Sequence, residues 1–225
     1  MTDQSSFDIA KEDAALNQYW YSKPTIEALV DEIQHHATRC AFLSAPSLYF
    51  SLTDAPLKAQ SKVFEFDRQW SSDAGFVFYD FNKPLDIPIH FMGAFDYVVV
   101  DPPFITRDVW AKYLQTVVFL LKPKSSPTSN DGGKVLFTSV LENHAILEQG
   151  LDQCLFVPLF KPSIPHLTYQ YHCFLNYQAT KLRQPNPEVP EEDSKVAAAL
   201  QMANDLRESE MAFSAQIHAR DRQGE

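Results

Sequence analysis

A chain of 225 residues, 45% apolar and 21% charged, has material for one globular domain with a real core and a short appendage, which excludes fibrous and disordered classes. A formal net charge of −10 argues against binding duplex nucleic acid mainly through its phosphates and suits a basic protein or small-molecule substrate. Three scattered cysteines (Cys40, Cys154, Cys173) form no disulfide framework or zinc site; with a polar N-terminus and no apolar run of transmembrane length, they point to a reducing, cytoplasmic setting and no membrane partner.

Residues 1–16 read as a loose lead-in. Ile26, Leu29, Val30 and Ile33 recur at helical spacing and predict a helix from Pro24 to about Ala37, with Ser22 or Thr25 able to cap it. His35-His36 then falls on an exposed helix end rather than on a metal. Strands are predicted at Cys40–Leu43, Val63–Asp67, Phe76–Asp80 and Tyr97–Asp101, each a short apolar run ending on polar or turn-forming residues. The runs are continuous rather than alternating, as expected of parallel strands buried on both faces. A helix follows over Val109–Leu121, then a Pro/Ser-rich loop at 122–133, then a fifth strand over Lys134–Thr138. Leu155–Pro158 and Tyr171–Tyr177 predict two last strands, with an antiparallel pairing open between them. Residues 17–180 thus read as one α/β domain, an open Rossmann-like sheet in a three-layer sandwich. Pro185, Pro187, Pro190 and the acids around them mark 181–193 as a stiff linker. Residues 194–222 predict an extra C-terminal helix, N-capped by Ser194, with a stripe of Val196, Leu200, Ala203, Leu206, Phe213 and Ile217. That helix either docks on its own domain or meets a partner.

Four strands end in polar residues: Ser44 and Ser47, Glu65 and Asp67, Asp80, and Asp101. In an open α/β sheet, ligands sit beyond the carboxyl ends of the strands, where the strand order reverses. An acid after the second strand is placed to hold ribose hydroxyls, and one after the third to reach an adenine amino group. Several carboxylates there would attract the sulfonium of S-adenosylmethionine and repel a dinucleotide's pyrophosphate. Only six glycines are present, which leaves little for a glycine-dependent phosphate loop. Asp also ends strands simply because it favours turns, so the weight falls on the motif after the fourth strand.

That motif is Asp101-Pro102-Pro103-Phe104. Methyl transfer to an amine needs the nitrogen lone pair in line with the methyl carbon. The Asp101 carboxylate and the Pro102 carbonyl can accept the amine's two hydrogens, while the two prolines fix the backbone that presents that carbonyl. Phe104 packs on the substrate and stabilises positive charge growing on nitrogen. Ser139, Glu142 and His144 have no nucleophile-elbow context, so no hydrolase is predicted.

Over roughly residues 12–177, several blocks follow in one order: Gln18-Tyr19-Trp20-Tyr21-Ser22 with Thr25, Ser44-Ala45-Pro46-Ser47-Leu48-Tyr49, Phe64-Glu65-Phe66-Asp67-Arg68, Phe78-Tyr79-Asp80-Phe81-Asn82, Asp101–Phe104, Phe156-Val157-Pro158 and Cys173-Phe174-Leu175-Asn176-Tyr177. In that order they resemble the eukaryotic elongation factor 1-alpha lysine methyltransferases, also described as adenine-N6 DNA methyltransferases for their DPP[FY] motif. The resemblance implies a seven-stranded methyltransferase fold with S-adenosylmethionine as cofactor. It places Trp20, Tyr21, Ser22 and Thr25 over that cofactor, and Ser44, Ala45, Pro46 and Ser47 where related enzymes have a glycine-rich loop. Asp67, with Glu65, would hold the ribose, Asp80 the adenine, and Asp101 would stand between cofactor and acceptor. The chain departs from the family pattern at Tyr169-Gln170-Tyr171-His172 and at Phe137-Thr138-Ser139, near where the acceptor enters.

Three functions are open. The resemblance and the acidity favour lysine methylation of elongation factor 1-alpha. Adenine-N6 methylation of DNA or RNA uses the same motif but would need a flipped or single-stranded base, and no basic run serves its phosphates. An inactive methyltransferase-like subunit, assembling through the C-terminal helix, sits poorly with intact Asp80 and Asp101.

Overall fold

The structure is a computed structural model that describes residues 16, 18–126, 129, 131–189 and 199–209. Helix α1 (Lys23–His36) begins where Ser22 Oγ accepts the Thr25 N–H at 3.3 Å, and Pro24 lies in its first turn, where a missing N–H breaks no helical bond. Ile26, Leu29, Val30 and Ile33 face inward as their spacing predicts.

The described strands form one sheet: β1 (Cys40–Leu43), β2 (Lys62–Glu65), β3 (Phe76–Phe78), β4 (Tyr97–Val100), β5 (Lys134–Ser139) and β6 (His172–Leu175). Their order is β3-β2-β1-β4-β5-β6, parallel except that β6 runs antiparallel to β5. Helices α2 (Pro46–Phe50) and α3 (Ala55–Gln60) connect β1 to β2, α4 (Arg107–Leu120) connects β4 to β5, and α5 (His144–Leu151) follows β5. Side chains alternate along each strand, so a single strand serves two cores. Val98 and Val100 join Trp110, Val117 and Leu147 under α4 and α5, whereas Tyr97 and Val99 join Leu29, Ile33, Leu48 and Leu57 under α1, α2 and α3. Three layers result, and the continuous apolar runs follow from burial on both faces.

Register positions the functional end. Leu43 pairs with both Phe64 and Val100, and Val100 with Phe137. The next residues along, Ser44, Glu65, Asp101 and Thr138, therefore emerge side by side where the strand order reverses between β1 and β4.

Four expectations are corrected. The seventh strand is a single antiparallel bridge: Phe156 exchanges N–H···O bonds of 2.7 and 3.0 Å with Leu175, and Pro158 follows with no N–H to give. At Val157 the outward N–H and C=O meet the Asn204 side chain instead, at 3.2 and 2.8 Å. Asn204 belongs to helix α6 (199–209), so this helix covers what would be an open sheet edge. Its docking face is Leu200, Ala203, Asn204 and Arg207, at i, i+3, i+4 and i+7, whereas Leu206 is 62% exposed. Ser194, Val196, Phe213 and Ile217 lie outside the described residues.

His36 is drawn into a partly buried cluster rather than left on an exposed end, with Glu32 at 3.1 Å, Lys134 Nζ at 3.0 Å and Thr180 Oγ1 at 3.0 Å. Residues 179–189, read in part as linker, pack on α1: Leu182 is fully buried, and the N–H groups of Thr180, Lys181 and Leu182 all donate to the buried Glu32 carboxylate. None of the described helices is long and apolar enough to cross a membrane.

Candidate active site

The turn after β1 carries Ser44 in the left-handed region, with φ of 50°. A non-glycine residue there costs about 1–2 kcal/mol. Two bonds offset it: Ser44 N–H donates to Phe64 O at 2.9 Å, and Ser44 Oγ lies 2.7 Å from the Tyr113 hydroxyl. Pro46 then starts α2, while Ala45 and Ser47 turn away into the interior.

Glu65 ends β2 and is 7% exposed. Its Oε1 accepts the N–H groups of Phe66 and Asp67 at 2.8 and 3.0 Å, which leaves Oε2 for a ligand. Burial outweighs those bonds and pushes the carboxyl up to about 7. Asp67 does not share this role. It caps the short 3-10 turn Arg68–Trp70 by accepting from Gln69 N at 2.9 Å, and it takes Gln18 Nε2 at 3.1 Å. Asp80, beyond β3, caps its own turn through Asn82 N at 2.9 Å.

Asp101 ends β4 and is tied to β1 by its N–H to Leu43 O at 3.1 Å. Its Oδ1 accepts from Thr138 Oγ1 at 2.8 Å. Burial raises its carboxyl to about 6, while hydrogen bonds from Tyr21 and Thr138 oppose the rise. Pro102 is buried, Pro103 half-buried and Phe104 48% exposed at the mouth. The chain just past the motif is pinned by Asn143, whose Nδ2 donates to Ile105 O at 2.8 Å and to Ser139 Oγ at 2.9 Å. Trp110 Nε1 donates to the same Ser139 Oγ at 3.1 Å, which ties α4 to that anchor.

A cleft of about 230 Å³ unites these strand ends. It takes in Trp20, Ser44, Pro46, Glu65, Asp80 and Asp101–Phe104, but not Tyr21, Ser22, Thr25, Ala45, Ser47 or Asp67. Tyr21 is fully buried behind the cleft, with its hydroxyl 2.8 Å from Thr138 Oγ1. Ser22 caps α1. Thr25 Oγ1 is a buried hub that receives Ser22 Oγ, Ser163 N and Asn186 Nδ2 at 3.0, 3.0 and 3.1 Å. These residues hold the cleft's wall in place rather than line it. Gln18, Tyr19, Tyr79, Phe81, Tyr113, Ile164, Leu167, Tyr169 and Tyr171 complete that wall. Tyr79 and Phe81 flank Asp80 and were legible as its neighbours, and Tyr169 and Tyr171 fall in the segment that departs from the family pattern; Ile164 and Leu167 come from an irregular loop with no pattern. Among the described residues, the lining holds three carboxylates (Glu65, Asp80, Asp101), nine aromatic rings, and no Lys, Arg or His.

The family model described as Probable N6-adenine methyltransferase matches residues 12–179. The chain belongs to this methyltransferase family. EEF1A lysine methyltransferase 1 of Gallus gallus is 32% identical over 182 residues, covering 77% of this chain and 79% of that protein. The Danio rerio protein of the same name is 32% identical over 178 residues, 74% of this chain and 99% of its own. Protein-lysine N-methyltransferase EFM5 of Saccharomyces cerevisiae is 35% identical over 139 residues, 57% of this chain and 56% of its own. The chain is therefore an S-adenosylmethionine-dependent methyltransferase, and its named relatives modify protein lysine.

Proposed function

We propose that this methyltransferase acts on a protein lysine ε-amino group, that of elongation factor 1-alpha, in the cytoplasm. The carrying observation is the charge of the cleft: three carboxylates and no cation among its described residues. Two unit charges about 4 Å apart interact by about 4 kcal/mol at an effective dielectric near 20. Such a site favours a sulfonium and an ammonium together and penalises a phosphate backbone by the same reasoning. Relatives named for EEF1A lysine point the same way.

The residues present suit the cofactor. Glu65 keeps one oxygen that can accept from ribose hydroxyls, Asp80 lines the same cleft and can accept from an adenine amino group, and Trp20, Phe66 and Phe81 offer ring faces. When bound, S-adenosylmethionine supplies an electrophilic methyl carbon. The chain's own task is to deliver a neutral, oriented amine. Releasing a proton from free lysine at pH 7 costs about 4–5 kcal/mol. Asp101 takes that proton on the oxygen not held by Thr138, and the aromatic, partly dry cleft lowers the ammonium's hold on it. The Pro102 carbonyl accepts a remaining N–H, and Phe104 faces the charge that develops on nitrogen.

The test offers the protein labelled S-adenosylmethionine with elongation factor 1-alpha and with unmodified adenine-containing oligonucleotides, side by side. Label is expected on an elongation-factor lysine. Label confined to the oligonucleotides would overturn the assignment.

A further inference from the structure

Behind the cleft, Thr138 Oγ1 lies 2.8 Å from Asp101 Oδ1 and 2.8 Å from the Tyr21 hydroxyl. A threonine hydroxyl has one proton to give. An ionised Asp101 can only accept, so that proton goes to Oδ1. Burial holds the Tyr21 phenol well above its ordinary range, so Tyr21 stays protonated and has its proton to give within this cluster, 2.8 Å from Thr138 Oγ1 and in hydrogen-bond reach of Asp101. Tyr21 and Thr138 thus both serve as donors towards Asp101. Neither Tyr21 nor Thr138 lines the cleft. The other titratable groups facing Asp101 are Glu65 from the end of β2, Tyr113 from α4, and Tyr171 and Cys173 from the β6 side. Each of them is neutral or anionic, so hydrogen bonding from this chain is what opposes the cost of burying the carboxylate.

We infer that Thr138 and Tyr21 are positioning residues, which hold one oxygen of Asp101 and leave the other as the proton acceptor for the incoming ammonium. In that step the N–H bond breaks and an O–H bond forms, giving a neutral amine and a neutral Asp101. The role of the acceptor rests on the lysine reading; the positioning of Asp101 does not.

The test uses the full chain saturated with S-adenosylhomocysteine. In that state the Asp101 carboxyl is followed by infrared difference titration against Asp101→Asn; in separate reactions with S-adenosylmethionine as donor, kcat/KM on elongation factor 1-alpha is measured across pH. Thr138→Val keeps the shape and removes the hydroxyl; Thr138→Ser keeps the hydroxyl. In Thr138→Val the carboxyl titration should move to higher pH by about one unit. The acid limb of kcat/KM should move with it, so activity falls about fivefold at pH 6 and little at pH 8. Thr138→Ser should restore both, and Tyr21→Phe should shift both the same way by less. An unmoved carboxyl titration, or an activity loss equal at both pH values, overturns the inference. A moved titration with no label on the elongation factor keeps the positioning role and overturns the lysine acceptor. If Thr138→Val fails to fold, Tyr21→Phe carries the same comparison, because it removes one oxygen and leaves β5 untouched.

Discussion

Replacing Glu65 by Gln should make the ligand-free protein more stable and the cofactor site worse. An ordinary glutamate ionises near 4.5, whereas burial holds the Glu65 carboxyl up to about 7. Between those values the folded protein binds a proton that the unfolded chain has released, so stability falls as pH rises through this window and levels off above about 7. The displacement corresponds to about 3 kcal/mol of folding free energy at pH 8. Glutamine keeps the Oε1 that accepts from Phe66 and Asp67, and adds a buried amide whose imperfect pairing costs about 1 kcal/mol. The net expectation for Glu65→Gln at pH 8 is a gain of about 2 kcal/mol, or roughly 4–8 °C in Tm for a domain of this size. At pH 4.5 the gain should vanish. Saturating S-adenosylhomocysteine should cancel most or all of that gain at pH 8, since ribose hydroxyls lose a charged acceptor worth about 1.5–3 kcal/mol. Scanning calorimetry at both pH values, with and without ligand, reads all of these. A ligand-free variant no more stable than the parent at pH 8 would refute the reasoning.

Asp101→Ala should abolish methyl transfer while calorimetric binding of S-adenosylhomocysteine changes by less than about tenfold. Asn204→Ala strips both bonds from the Val157 backbone and should lower stability by about 1–3 kcal/mol, seen as an earlier urea midpoint. Ser44→Gly relieves the left-handed backbone and loses the Tyr113 bond, so its unfolding free energy should stay within about 1 kcal/mol of the parent. Ser44→Ala loses the bond and keeps the strain, and equilibrium denaturation should place it about 1 kcal/mol below Ser44→Gly.

The strands were legible because burial on both faces makes them continuous apolar runs, as in Tyr97-Val98-Val99-Val100. Short helices were not. α2, α3 and α5 are too brief to show a period and depend on packing of Leu48, Leu57, Leu147 and Leu151. The extra strand at Leu155–Pro158 had the right composition, but pairing depends on what lies alongside, and Asn204 arrives there from far along the chain. In the candidate site, the strand-end acids were readable from topology. Which of Glu65 and Asp67 faces the cleft was not, because a one-residue difference after a strand is decided by the local cap. Tyr21 and Thr25 share a segment with cleft-lining Trp20 yet point into support contacts, a distinction that needs the partners Thr138, Ser163 and Asn186.

The grip of Thr180, Lys181 and Leu182 on Glu32 separates two boundaries usually drawn together. Similarity to the family model ends at residue 179, and the three donors begin at the next one. A gene trimmed to the matched span would strip the three backbone donors from the Glu32 carboxylate, leave it His36 and Tyr177 as partners, and expose the face of α1 that Leu182 covers, at a cost of about 1–3 kcal/mol. The unit that evolution makes recognisable is therefore shorter than the unit that folds, and any minimal enzyme cut from this chain should run through Asn186 and Glu188, whose side chains close over Thr25 and Ser22.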